Sequence, residues 1–204
     1  MLEVSELACR RGGRALFRDL SFALEGGELL RIAGENGSGK TTLLKIVAGL
    51  LTPDAGEVRW RGEPIRGLRE DYSRHLVYLG HAPAVKDDLT AAENLGIAGA
   101  LAGIDATSEA VHEALDAYGL PAHDVPVRKL SQGQRRRVAL ARLLLSERAP
   151  LWLLDEPFAA LDVNAARRTE ELIAAHVARG GAVAYTTHQE ANIAAAALRV
   201  LELG

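Results

Sequence analysis

"GENGSGKT", the run from Gly34 to Thr41, spaces its glycines, lysine and threonine as G-x-x-x-x-G-K-[ST]. Glycines let a backbone turn tightly and aim N–H groups inward at an anion. A following helix N-terminus adds a dipole that favours negative charge. Lys40 can then neutralise the outer phosphates of a nucleotide, and Thr41 can offer its hydroxyl to Mg²⁺. A second run, "LWLLDEP", ends in Asp155 and Glu156. Asp155 can hold Mg²⁺ directly or through water, and Glu156 is placed to polarise an attacking water. Taken alone, the first run could be a chance glycine-rich turn and the second an ordinary acidic turn. Together they complete one metal–phosphate site.

Such a site needs strands that end beside one another. "LLRIAG" is a short apolar run leading into the glycines. "KTTLLKIVAGLL" after them has Leu43, Leu44, Val47 and Leu50 at helical spacing and closes at Pro53. "LWLLD" and "AVAYTTH" read as buried strands, the latter as the last, and "HLVYLG" as another. "LEVSELACR", "LFRDLSFAL" and "EVRWRGEPI" read as peripheral strands separated by turns. Residues 86–130 are Ala- and Leu-rich with helical spacing and form an expected lobe. "SQGQRRRVALARLLLSERA" is expected to be a helix opening after Gly133, and 164–179 another. Strands alternating with helices imply an α/β fold with a mostly parallel sheet, a small antiparallel β subdomain and an inserted helical lobe. The expected layout is one domain over 1–204: β subdomain and core over 1–85, lobe over 86–130, and a final helix and core over 131–204.

Composition narrows the classes. The 204 residues carry a net charge of -3, which disfavours a broad nucleic-acid face. Arg135, Arg136 and Arg137 form a short basic run, by default a solvated helix face or an anion contact. The single cysteine, Cys9, excludes an internal disulfide and suits a small buried or edge position. No stretch offers about 18 uncharged apolar residues, so no bilayer span is expected. The opening residues lack a signal-peptide pattern.

"LSQGQ", Leu130 to Gln134, resembles the signature motif of ATP-binding cassette (ABC) ATPases. The other motifs follow that family's order over essentially the whole chain. Gly34–Thr41 resembles its Walker A loop and "LWLLDEP" its Walker B strand. "AALD", ending at Asp162, resembles its D-loop, and "TTHQ" places His188 at its switch histidine. The resemblance implies a P-loop NTPase core that binds Mg²⁺ with ATP. Its ATP-binding set would be Gly34, Glu35, Asn36, Gly37, Ser38, Gly39, Lys40, Thr41 and Thr42, with Thr41 and Asp155 on the metal. Glu156 and His188 would be catalytic, His188 touching the γ-phosphate and orienting the water. Two cassettes would pair head to tail, so that Ser131, Gln132, Gly133 and Gln134 of one complete the site of the other. Asp162 would report across that interface. Ser131 and Asp162 are also natural helix N-caps, and both roles can hold at once.

Two positions depart from the family pattern. Many cassettes carry an aromatic residue near the N-terminus that stacks on adenine, and here Arg11 stands there. A guanidinium can stack on a base, and an exposed turn residue is the equal alternative. After the strand "HLVYLG", cassettes carry a glutamine that touches metal or water and begins the loop gripping a membrane partner. Here that position is His81, which can make one of the amide's hydrogen bonds. A coupling role fits His81 better than a chemical one, because Glu156 and His188 fill the chemical roles. "APAVKDDLT" would then be the gripped surface.

"GHAPAVKDDLTAAENL", "LSQGQRRRVALARL", "DEPFAALDVN" and "TTHQ" together look like the ATP-binding subunits of cytochrome c maturation (haem exporter) systems. That resemblance implies a peripheral ATPase on the cytoplasmic face of the inner membrane, docked on integral membrane subunits. Its ATP hydrolysis would drive haem export or release of a haem-loaded chaperone. The alternatives are an ATP-binding subunit for another exported substrate, or a soluble cassette that remodels ribosomes or DNA. The second is disfavoured by the single cassette, the absence of long heptads and a pI near 6.1.

Overall fold

The computed structural model describes residues 1–120, 123–189 and 191–204. Its central sheet comprises β3 (Leu29–Gly34), β6 (Leu76–Leu79), β7 (Leu151–Asp155), β8 (Ala182–Thr186) and β9 (Leu198–Leu203). Their order is β6-β7-β8-β3-β9, with every neighbouring pair parallel. A second sheet of β1 (Leu2–Arg11), β2 (Arg14–Leu24), β4 (Ala55–Trp60) and β5 (Glu63–Pro64) runs antiparallel in the order β2-β1-β4-β5.

β7 and β8 are buried along their whole length, and alternation still decides which core each residue joins. Leu151, Leu153, Ala182 and Ala184 face the antiparallel sheet and helix α1 (Lys40–Val47). Trp152, Leu154, Val183 and Tyr185 face the opposite layer. That layer holds α3 (Ala91–Leu101), α4 (Ser108–Asp116), α5 (Gln132–Leu145) and α6 (Val163–Ala178). The parallel sheet is therefore covered on both faces, as all-parallel sheets require.

Three expectations shift. Helix α5 opens at Gln132, not after Gly133, because Ser131 caps it with a reciprocal Ser131–Gln134 box. A helix, α2 (Ile65–Ser73), follows the β4–β5 pair and was not expected. The chain also forms a strand after β8: β9 is an edge, mostly exposed, and lacks the apolar run of a buried strand. Pro121 and Ala122, within the expected lobe, lie outside the described residues. Cys9 is free and fully buried, and burial raises its thiol pKa.

Candidate active site

Four adjacent strands, β6, β7, β8 and β3, run the same way, so their carboxyl ends lie in a row. In open parallel sheets that is where ligands bind. The row carries His81 beyond β6, Asp155 and Glu156 at β7, His188 beyond β8 and the glycine loop beyond β3. All border one cleft of about 420 Å³, together with Arg11, Asn36, Gly37, Gly39, Lys40, Thr41 and Thr42.

Gly39 sits at the N-cap of α1 with φ 105°, a left-handed conformation that L side chains avoid. No side chain caps that helix, so its first N–H groups stay available to an anion. Lys40 is 8% exposed, and its ammonium donates to the Gly34 and Glu35 carbonyls at 2.7 and 2.9 Å. The buried Ser38 hydroxyl has no partner among the described residues, an orphan suited to a ligand oxygen.

Asp155 is 1% exposed and held on both oxygens. The Thr41 hydroxyl donates to Oδ2 and the Thr186 hydroxyl to Oδ1, each at 2.8 Å. Thr186 also accepts the Glu156 N–H at 2.9 Å. Parallel register explains the pairing, since Asp155 lies opposite Thr186. Glu156 has φ 52°, rare for a side chain of its size and a local strain of the kind found at active sites. The His188 N–H donates to Glu156 Oε2 at 3.2 Å. Oε1 is buried without a hydrogen bond among the described residues, and His188 Nε2 stands 3.4 Å from it, an ion-pair distance when the ring is protonated.

Ser131 to Gln134 do not border this cleft. Ser131 Oγ accepts the Gln134 N–H at 3.2 Å, and Gln134 Oε1 accepts the Ser131 N–H at 2.8 Å. Gly133 is needed for close approach, because a Cβ there would come 2.6 Å from the Ala160 carbonyl oxygen. Asp162 caps α6, its Oδ1 accepting the Ala165 N–H at 2.8 Å, and its Oδ2 lies 3.8 Å from Arg137. Arg11 is exposed at the cleft's edge, its guanidinium 3.5 Å from the Arg10 carbonyl. His81 is also exposed and borders the cleft.

Sequence reasoning left Thr186 and Arg136 out of the site. "TT" before His188 was a usable signal for Thr186, once β7 and β8 are taken as neighbours. Arg136 carried no such signal. It is 3% exposed, and burial lowers its pKa while the nearby Asp155 and Glu156 charges oppose that shift. Tyr78, on β6, has its pKa pushed up to about 12 by burial and then by the Asp155 charge.

A glycine loop, two carboxylates and a histidine at adjacent strand ends define a nucleotide-binding ATPase core, and residues 17–159 match the ABC transporter family model. The chain is 50% identical over 205 residues to the cytochrome c biogenesis ATP-binding export protein CcmA of Dechloromonas aromatica (strain RCB), covering 100% of both chains. It is 54% identical to the protein of that name from Aromatoleum aromaticum, over 95% of this chain and 91% of the relative. Among solved structures, the ATP-binding subunit of an ABC transporter superposes with a TM-score of 0.82 at 28% identity, over 92% of this chain and 79% of that one. A bacterial ABC transporter cassette solved as a dimer shares the fold, with a TM-score of 0.84 at 24% identity, over 99% and 94%. The chain belongs to the ABC transporter family and, within it, to the CcmA cytochrome c biogenesis ATP-binding export proteins. It is an ATP-hydrolysing transport subunit, and among the described residues no helix is long and apolar enough to cross a membrane.

Proposed function

We propose that the chain works as a head-to-tail pair on the cytoplasmic face of the inner membrane, docked on integral membrane subunits. There its ATP cycle powers haem export, or release of a haem-loaded chaperone, for cytochrome c maturation. The observation that carries this reading is the row of strand ends: Lys40, Thr41, Asp155, Glu156 and His188 meet in one cleft. Relatives at about half identity over the full chain, named as cytochrome c biogenesis export proteins, support the physiological part.

Mg²⁺ fits the donors present. Asp155 offers carboxylate oxygens, Thr41 a hydroxyl and Ser38 an unpartnered one. No cluster of three His, Cys, Asp or Glu side chains occurs among the described residues. A hard cation held by one carboxylate, a hydroxyl and the nucleotide's own oxygens matches that set. Held by Thr41 and Asp155, the ion would supply positive charge to offset that of the nucleotide's phosphates.

The protein's own groups do the rest. The loop's N–H groups and Lys40 hold the phosphates, with Arg11 beside the base. Glu156 Oε1, without a hydrogen bond among the described residues, accepts a proton from the attacking water. His188 keeps that carboxylate in place through its N–H and steadies the γ-phosphate with its ring. Ser131, Gln132, Gly133 and Gln134 do not reach their own chain's cleft, so their helix N-terminus serves the partner's, an isologous arrangement with two sites. Asp162, which caps α6 and stands 3.8 Å from Arg137, reports between them. His81 acts in coupling, at the root of a loop formed by 82–90 that faces the membrane subunits.

Capture of the chain from its native membrane, with Glu156→Gln to slow turnover, tests this reading. Co-purifying integral membrane subunits of a cytochrome c maturation complex support it. Subunits of an unrelated exporter contradict its physiological part.

A further inference from the structure

Arg136 belongs to a run that looks like a solvated basic patch, yet its three members go to three different places. Arg135 is tied to Asp87 at 2.8 Å and to the Leu130 and Arg128 carbonyls. Arg137 donates to the Tyr118 carbonyl at 3.1 Å. Arg136 turns inward. Its Nη1 donates to the Gly80 and His81 carbonyls at 2.8 and 3.3 Å. Its Nη2 donates to the Asp155 and Glu156 carbonyls at 2.8 and 2.7 Å.

One planar fork thus joins three elements. It is anchored on α5, five residues after Ser131. One tine grips the root of the 81–90 loop, and the other grips the backbone of both carboxylates. We propose that Arg136 is a positioning residue that locks the His81 loop root to the Asp155–Glu156 peptide, so that nucleotide-driven movement at Glu156 reaches that loop. The assignment rests on the reading of 81–90 as the partner-facing loop.

The surroundings suit a transmitting link. The loop's far end is pinned by Asn94, whose side chain bonds Lys86 N and O and Thr90 O at 2.7, 3.0 and 2.9 Å. Its near end is held by Arg136. Between them a cavity of about 40 Å³ lies under Pro83, Ala84 and Val85, so this stretch is not packed solid. The fork geometry is specific to arginine: four carbonyls need four N–H groups in one plane, which an ammonium point charge cannot supply. The left-handed Glu156 backbone sits at one of those carbonyls, where a small displacement re-aims the carboxylate.

The test uses the whole chain, as Arg136→Lys and Arg136→Gln. Steady-state ATPase should show kcat reduced by about 10²-fold, as for a misplaced catalytic group. The KM for ATP should stay within about threefold, since the phosphate loop is untouched. The second readout is hydrogen exchange over 80–85 in the Glu156→Gln background, with and without ATP. The parent should change its exchange there when ATP binds. The Arg136→Lys chain should bind ATP and leave that segment unchanged. This result can be read on the isolated chain, so it stands or falls separately from membrane docking. Three outcomes overturn the proposal: an unchanged kcat, an undiminished ATP-linked response over 80–85, or loss of ATP affinity in both variants in step with loss of folded protein.

Discussion

The Thr41 hydroxyl stands 2.8 Å from Asp155 Oδ2 and joins residues 114 positions apart in the chain. It ties the helix after the phosphate loop to the strand that carries both carboxylates. The opposite oxygen of Asp155 is tied to Thr186, which also receives the Glu156 N–H. Thr186→Val would strip a donor from a buried carboxylate and an acceptor from a buried N–H, at a cost of about 2 kcal/mol in stability. Denaturant melts should show that loss, and kcat should fall further than KM rises. Thr186→Ser should restore both.

Glu156→Gln removes the carboxylate proposed to take the proton from water and keeps its shape. Hydrolysis should fall by about 10² to 10⁴. ATP binding, followed by nucleotide titration, should be retained. Near-normal single-turnover rates would remove Glu156 from its role.

His81→Gln places there the amide that the family resemblance leads one to expect after β6. The isolated chain should keep its ATPase rate within about threefold, because Glu156 and His188 remain in place. Cytochrome c maturation in cells should fail. Lost ATPase in the isolated chain would instead make His81 part of the chemistry.

His176 sets part of the acid limit of stability. Its ring stacks on Trp152 with 3.7 Å between centroids and 6° between planes, and it is 2% exposed. Burial, then the Arg179 charge, push its pKa from 6.5 down to about 4. The unfolded ring protonates below about pH 6.5, while the folded ring waits until about pH 4. Stability is therefore full above pH 6.5, declines as pH falls to about 4 and loses up to about 3 kcal/mol from this group. Denaturant melts from pH 7 to pH 4 should show that decline. His176→Leu should flatten it by one proton's share.

What could be read from the sequence was local. The glycine loop, the DEP turn, "LSQGQ" and "TTHQ" are contiguous runs, and each needs only its own flanks. Asp162 and Ser131 were readable as N-caps for the same reason. Thr186 and Arg136 were not, because their partners come from neighbouring strands. Thr186 matters only because β8 lies beside β7 in register, and Arg136 only because α5 brings its guanidinium to the carbonyls at the ends of β6 and β7. The default for an Arg-Arg-Arg run is a wet helix face, and burial of the middle guanidinium among four carbonyls overrides it. β9 escaped because an exposed edge strand lacks the apolar run that marks β7 and β8. Helix α2, "IRGLREDYS", is short and mostly polar, and it gave no long apolar stripe to read.

In the proposed head-to-tail pair each ATP site is shared between two chains, with Lys40 from one and Ser131 from the other. Lys40→Ala removes the cation at the phosphates, and Ser131→Arg blocks the signature. Each variant alone should be inactive. Mixed in equal amounts, they should form heterodimers that keep one intact composite site, so that activity returns to about a quarter of the wild-type level. A mixture as inactive as either variant alone would contradict the shared site.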